Sequence, residues 1–322
     1  MAVLLLRAKD LALACPMTDA IEAVASGFSA LSAGQATAPV RLSVPIRNDG
    51  VGLAMPVSLA DSSCYSVKVV SVAPANPSAG RPLVTATVLL IDASSGELLA
   101  LIEGTALTAL RTGAAGGVAA RALGRPDATR AALFGAGVQA RAQLLALAIV
   151  RPIREIRLVV RDPVHAAAFQ AWAAGEPGLG AVAIAPASAE AAVRGADIVI
   201  TATSSRIPVF PGSALSPGVH VTAVGSFTPQ MRELDDAALR GARLVVDQRA
   251  AAIAEAGELR GLRPEDVVEI GEVLAGTAPG RSSPDERTIF KSVGNAVQDL
   301  VVAARAYDRA RADGLGEEVA FP

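Results

Sequence analysis

The sequence predicts an α/β chain in which an α+β N-terminal domain is followed by a doubly wound parallel-sheet domain. Three observations carry this. Up to Gly104, strand-like runs follow one another without helices between them, which implies a mainly antiparallel sheet. From Arg130 onward strands and helices alternate, the pattern of a parallel sheet covered on both faces. Apolar residues fill 52% of the 322 positions and aromatics only 3%, so Val, Leu and Ile strands must pack on Ala-rich helices. A chain of this length has room for two cores.

In chain order, Thr18 or Asp19 caps a helix whose Ile21, Val24, Ala25, Phe28 and Leu31 share one face, and Gly34 ends it. Strands follow at Arg41–Ile46, Val51–Leu59, Cys64–Val72, Leu83–Asp92 and Glu97–Gly104, the last two joined by the turn Ala93-Ser94-Ser95-Gly96. A helix of small residues, Ala109–Leu123, opens at Thr105 or Thr108, stops at Gly124 and bridges the domains. Beyond it come strand Arg130–Phe134, helix Val138–Val150, strand Glu155–Val160 and helix Pro163–Ala174. Further strands are expected near Val182–Ala185 and at Asp197–Thr201, Val219–Val224 and Arg243–Val246. A Gly-, Pro- and Ser-rich loop, Gly276–Pro284, precedes a final helix from Thr288 to Ala312 whose apolar face holds Phe290, Val293, Val297, Leu300 and Val301. The expected domains are therefore 1–112 together with 288–322, and 113–287.

Charge and cysteine usage exclude several classes. Lys and Arg number 29 against 31 Asp and Glu, which leaves no basic field for nucleic acid and no polybasic membrane patch. Cys15 and Cys64 are too few for a disulfide framework or a zinc cluster, which points to a reducing cytoplasm. The apolar run in Met1–Ala8 is shorter than a signal-peptide core, and no apolar stretch reaches spanning length. No metal is expected, because His165 and His220 are the only histidines and no Cys/His spacing suits one. His220 reads as a structural hydrogen-bonding residue within its strand.

The strongest chemical signal is Gly135-Ala136-Gly137-Val138-Gln139-Ala140, entered by the apolar strand Ala131–Phe134 and left by a helix starting at Val138. Gly135 permits the tight turn, Gly137 lets backbone approach a pyrophosphate, and the helix N-terminus at Val138 and Gln139 supplies free N–H groups. This is a Rossmann-type dinucleotide turn. The second strand of such a unit normally ends on an Asp or Glu that binds the ribose hydroxyl of NAD. Here that position is Val160, followed by Arg161, which favours NADP(H) with NAD(H) possible; Asp162 in a shifted turn is the alternative ribose acid.

Three further stretches join this turn: Leu107–Ala115, Ala223–Leu234 with Gly225-Ser226-Phe227-Thr228-Pro229, and Ile289–Asp299 with Lys291-Ser292-Val293-Gly294-Asn295. Together with Ala54-Met55-Pro56 and Val67-Lys68-Val69 they resemble the ornithine cyclodeaminase/mu-crystallin family over nearly the whole chain. The resemblance implies a homodimer whose N-terminal domain forms the interface and binds a small amino or imino acid. It places Arg41, Met55, Lys68, Arg111 and Val293 at the substrate, with Arg41 and Lys68 on its carboxylate. It places Arg111, Thr112, Thr201, Thr203, Val224, Gly225 and Ser292 at the cofactor, beside Gly135, Gly137, Val138, Gln139 and Arg161. On residue chemistry alone, Lys68 interrupts an apolar strand, where a lysine is costly to bury without an anion; a solvated sheet-edge lysine is the alternative.

The chain departs from the cyclodeaminases of that family at two positions. Phe227 stands where they carry a proton-shuttling Asp, and Met231 where they carry a Lys that touches NAD. Phenylalanine has no proton to exchange. The segment is similar to members that reduce cyclic ketimine acids such as Δ1-pyrroline-2-carboxylate and Δ1-piperideine-2-carboxylate to proline and pipecolate. The expected activity is therefore NAD(P)H-dependent imine reduction, with Lys68 or a held water as proton donor. Ornithine cyclodeamination and NADPH-dependent ligand binding without turnover are the alternatives.

Overall fold

The computed structural model describes residues 2–320; Met1, Phe321 and Pro322 lie outside the described residues. The chain divides into two compact units, one of residues up to Arg111 together with those from Asn295 onward, the other Thr112–Gly294. The first unit opens with β1 (Ala2–Leu6), α1 (Ala8–Ala14), α2 (Met17–Ser32), β2 (Ala36–Thr37), β3 (Leu42–Ile46) and β4 (Gly50–Leu59). It continues with β5 (Cys64–Val72), β6 (Val84–Asp92) and β7 (Leu98–Glu103). Helix α3 (Gly104–Leu123) then carries the chain from one unit into the other.

The second unit runs β8 (Arg130–Phe134), α4 (Val138–Val150), β9 (Glu155–Val159), α5 (Pro163–Gly175), β10 (Ala183–Pro186), α6 (Ala189–Val193) and β11 (Ile198–Thr201). It ends with β12 (His220–Ala223), α7 (Asp236–Leu239), β13 (Arg243–Val246), α8 (Arg249–Glu255), β14 (Val268–Glu269), α9 (Ile270–Leu274) and β15 (Thr288–Lys291). Helix α10 (Ala296–Asp313) and β16 (Glu317–Ala320) complete the first unit.

The first sheet has the order β16-β1-β7-β6-β5-β4-β2, with β3 also paired to β4; every pairing is antiparallel except β1 with β7. Strand alternation buries Met55, Val57, Lys68, Val70, Val88 and Leu90, and α10 packs against β4, β5 and β6. Ile21, Val24 and Phe28 of α2 are also fully buried, each such side chain contributing about 1.5–3 kcal/mol. The opposite side of the sheet leaves Leu42, Val44 and Val69 exposed. Neither β1 nor β16 is legible in sequence; they pair with each other across the chain ends.

The second sheet is entirely parallel, with the order β10-β9-β8-β11-β12-β15-β13-β14. The chain winds outward from β8 through β9 and β10, then returns to place β11 on the other side of β8. The C-terminal ends of β8 and β11 therefore flank the topological switch point, where such sheets bind ligands. One expected element is corrected. Thr288–Lys291 is a buried strand between β12 and β13, not the first turn of the last helix, which starts after Asn295. Asn295 accepts the Val297 N–H at 2.8 Å and caps that helix. A short apolar run such as Thr288-Ile289-Phe290 fits either period, and its tertiary setting decided between them.

His220, the register partner of Thr288, is buried with Nδ1 at 2.9 Å from Thr288 Oγ1 and Nε2 at 3.0 Å from Thr222 Oγ1. Burial, reinforced by the charges of Arg281 and Arg151, pushes its pKa down to about 3, so the ring stays neutral. No single helix among the described residues is long and apolar enough to cross a membrane.

Candidate functional site

In the first unit, Lys68 sits mid-strand on β5, directly across from Met55 of β4 in the sheet register. Both side chains are buried. The Lys68 Nζ lies 2.7 Å from Asp299 Oδ2, and the other carboxylate oxygen, Oδ1, accepts the Arg111 Nε–H at 3.0 Å. Arg111 Nη1 donates to Gln298 Oε1 at 2.6 Å. Asp299 is 0% exposed, Lys68 1% and Arg111 6%, so two cations and one anion share a site closed to solvent. Their sum is one uncompensated positive charge, a costly arrangement to bury without a further anion. Burial is the main force lowering the Lys68 pKa to about 8; Arg111 and Arg41 lower it further, while Asp299 opposes them. The charge of Arg41, half-buried just before β3, is thus felt at Lys68. Arg41, Met55, Lys68 and Arg111 are brought to one part of this unit, whereas Val293 belongs to the second unit, just after β15.

In the second unit, Gly135 leaves β8 with φ 104°, and a Cβ there would stand 2.6 Å from the Ala202 carbonyl oxygen. Only glycine fits. Gly137 is the N-cap of α4, no side chain caps that helix, and a Cβ on Gly137 would meet nothing within 4 Å. No side chain takes the N–H groups of the first turn and the space beside Gly137 is open, which is what a pyrophosphate requires. Val138 is exposed, and the half-buried Gln139 leaves its Oε1 without a partner. These features fit a dinucleotide held at Gly135, Gly137, Val138 and Gln139. Thr112, buried at the start of this unit, accepts the Gln143 Nε2–H of α4 on its carbonyl at 2.7 Å, tying α3 to α4.

Thr201 and Thr203, at the end of β11, both donate to Glu233, which sequence reasoning missed. Glu233 Oε2 accepts from Thr201 Oγ1 at 2.8 Å and from the Gly225 N–H at 2.7 Å. Its Oε1 accepts from the Thr203 N–H at 2.7 Å and Oγ1 at 2.8 Å. Val224 N–H donates to Thr201 O at 3.0 Å, so the segments after β11 and β12 are joined at Val224, Gly225 and Thr203. Ser292 donates to Asp247 Oδ2 at 2.8 Å, and the same oxygen accepts the N–H groups of Val293 and Gly294. Burial raises the Asp247 pKa, opposed by these hydrogen bonds and by the Lys291 charge. Lys291 itself donates to Ser226 O and Oγ at 2.6 Å each and pairs with Glu258 at 3.3 Å.

Arg161 is exposed two residues past β9. Asp162 is the N-cap of α5 and accepts the Val164 N–H at 2.9 Å. Phe227 is 37% exposed beside Ser226. Sequence reasoning also missed Asp299, Asp247, Glu258 and Lys291. For Asp247, Lys291 and Asp299 the signal was a charge at the end or in the middle of a mostly apolar run, Val245-Val246-Asp247, Ile289-Phe290-Lys291 and Val297-Gln298-Asp299-Leu300; Glu258 carries no such signal.

The chain matches the family model of the ornithine cyclodeaminase/mu-crystallin family over residues 2–314. It is 38% identical over 314 residues to a Δ1-pyrroline-2-carboxylate reductase of Bacillus cereus, covering 95% of this chain and 96% of that one. It is similar to the solved structure of Thermococcus litoralis Δ1-pyrroline-2-carboxylate reductase in complex with NADH and L-proline, with 39% identity, a TM-score of 0.93 and coverage of 98% and 100%. It is also similar to an archaeal alanine dehydrogenase dimer with bound NAD, with 33% identity, a TM-score of 0.92 and full coverage of both chains. With Lys68, Arg111 and Asp299 gathered in one unit and the Gly135 turn open in the other, the chain belongs to the ornithine cyclodeaminase/mu-crystallin family.

Proposed function

We propose that the protein is an NAD(P)H-dependent reductase of cyclic imino acids, converting Δ1-pyrroline-2-carboxylate or its six-membered homologue to the cyclic amino acid. The observation that carries this reading is the buried Lys68–Asp299–Arg111 cluster, whose surplus positive charge suits a substrate carboxylate. Kinship to reductases of this substrate supports it. The dinucleotide, when bound, supplies the hydride that adds to the C=N carbon. Lys68 and Arg111 hold the carboxylate, with Arg41 adding to the field, and Met55 forms an apolar wall beside Lys68. A cyclic imine near neutral pH can enter already as its iminium, which carries the nitrogen proton and needs no dedicated acid. For substrate that enters unprotonated, Lys68 Nζ or a held water is the proposed acid, and its lowered pKa makes Lys68 a stronger donor than a solvated lysine.

Cyclodeamination fits less well. Phe227 has no proton to exchange, and the one carboxylate of the Gly225–Glu233 segment, Glu233, has both oxygens committed to Thr201, Thr203 and Gly225. NADP(H) is the proposed cofactor, because Val160 offers no carboxylate and Asp162 is engaged in capping α5, which leaves Arg161 to meet a 2′-phosphate. A second copy of the chain is the proposed partner, seated on the open face of the first sheet at Leu42, Val44 and Val69. Oxidation of NADPH with Δ1-pyrroline-2-carboxylate, followed at 340 nm, tests the activity. A substrate-dependent rate giving proline is expected; no rate with either ring size, or ammonia release from ornithine with catalytic NAD, overturns it.

A further inference from the structure

Lys68 and Arg111 come from different elements, β5 and α3, and would repel each other across a dry interior if nothing stood between them. Asp299, in the first turn of α10, separates them by giving one oxygen to each. We propose that Asp299 is the positioning residue of the carboxylate site, aiming Lys68 and Arg111 at one ligand and keeping Lys68 protonated at working pH. This rests on the reading of that cluster as the substrate site.

The geometry leaves no substitute for it. Arg111 has a second tie, to Gln298 Oε1, but Gln298 is neutral and offsets no charge. The charges acting on Lys68 are Arg111 from α3, Arg41 from the segment before β3, and Asp299 from α10; β4 carries no charged residue. Two of the three oppose a proton on Lys68, and Asp299 alone favours it. Removing its charge while keeping its shape leaves two buried cations without the anion that both touch, and the lysine is the one that can yield its proton.

The protein has three lysines, Lys9, Lys68 and Lys291, so lysine-labelled protein gives a short NMR spectrum in which K68R identifies the Lys68 signal. In the wild type this signal is expected to titrate at about 8. In Asp299→Asn its proton affinity falls at least ~10-fold. The alkaline limb of kcat/KM for Δ1-pyrroline-2-carboxylate moves down with it, so activity lost at pH 8 recovers at pH 6. NADPH affinity stays within about twofold. An unmoved Lys68 titration, or an equal loss at every pH, overturns the proposal. Should Asp299→Asn fail to fold, Asp299→Glu keeps the charge with altered reach: a raised KM with an unmoved limb is expected, and an unchanged KM overturns the positioning role. The NMR titration needs no turnover, so a wild type that titrates as expected yet reduces no imine sinks the proposed activity rather than this assignment.

Discussion

Arg161 follows a strand that ends without a carboxylate, and the nearest acid is occupied: Asp162 holds the first turn of α5. A guanidinium free of such a partner can form charge-assisted hydrogen bonds to a 2′-phosphate, each about 1.5–3 kcal/mol. Replacing Arg161 by Ala should therefore weaken NADPH by roughly 10- to 100-fold while leaving NADH within about twofold. Calorimetric titration of both cofactors checks it, and equal losses would contradict the reading of this turn. Single residues of this kind were legible because their chemistry shows in local order: a glycine pair after an apolar strand, or Lys68 within Val67–Val72. Asp299 was not. Its meaning depends on partners 188 positions away at Arg111 and on a strand far back in the chain, and one sequence does not carry those pairings.

At the scale of elements, the parallel order was readable from strand–helix alternation, but its return strand was not. β15 looks like a helix start until β12 and β13 enclose it. The same holds for Glu233, which follows no element yet joins the ends of two. Its four accepted hydrogen bonds pin the segments after β11 and β12 at the switch point of the sheet. Glu233→Gln puts an amide N–H₂ against one threonine hydroxyl, which can turn to accept from it, and one backbone N–H, which is left unpaired at about 1–3 kcal/mol. A lower melting temperature is expected, together with about tenfold weaker NADPH binding that deletion of Thr203 Oγ1 alone, in Thr203→Val, reproduces only in part. If Glu233→Gln melts and binds cofactor as the wild type does, the staple is not what orders these segments.

For the whole molecule, the proposed second copy on the open face of the first sheet would link assembly to the proposed substrate site. All five residues of β3 are exposed, and the strand is held by β4 alone. Leu42 and Val44 point away from the helix-covered side, in register with Ala54 and Gly52, and Val69 lies next to Ala54 on β5. An apolar edge strand left in water invites pairing or burial by another chain. A second copy seated there would cover these side chains and hold β3 in place. Arg41 immediately precedes β3, and its charge reaches Lys68, so loosening the strand loosens part of the anion field. The double variant Leu42→Glu, Val44→Glu should then sediment at half the wild-type mass. It should also raise the KM for the imino acid by about tenfold, while NADPH affinity, which the Gly135 turn of the other unit is proposed to dominate, stays unchanged. A wild type that already sediments as a single chain, or a dissociated variant with an unaltered KM, would separate assembly from the carboxylate site and leave β3 a solvated edge.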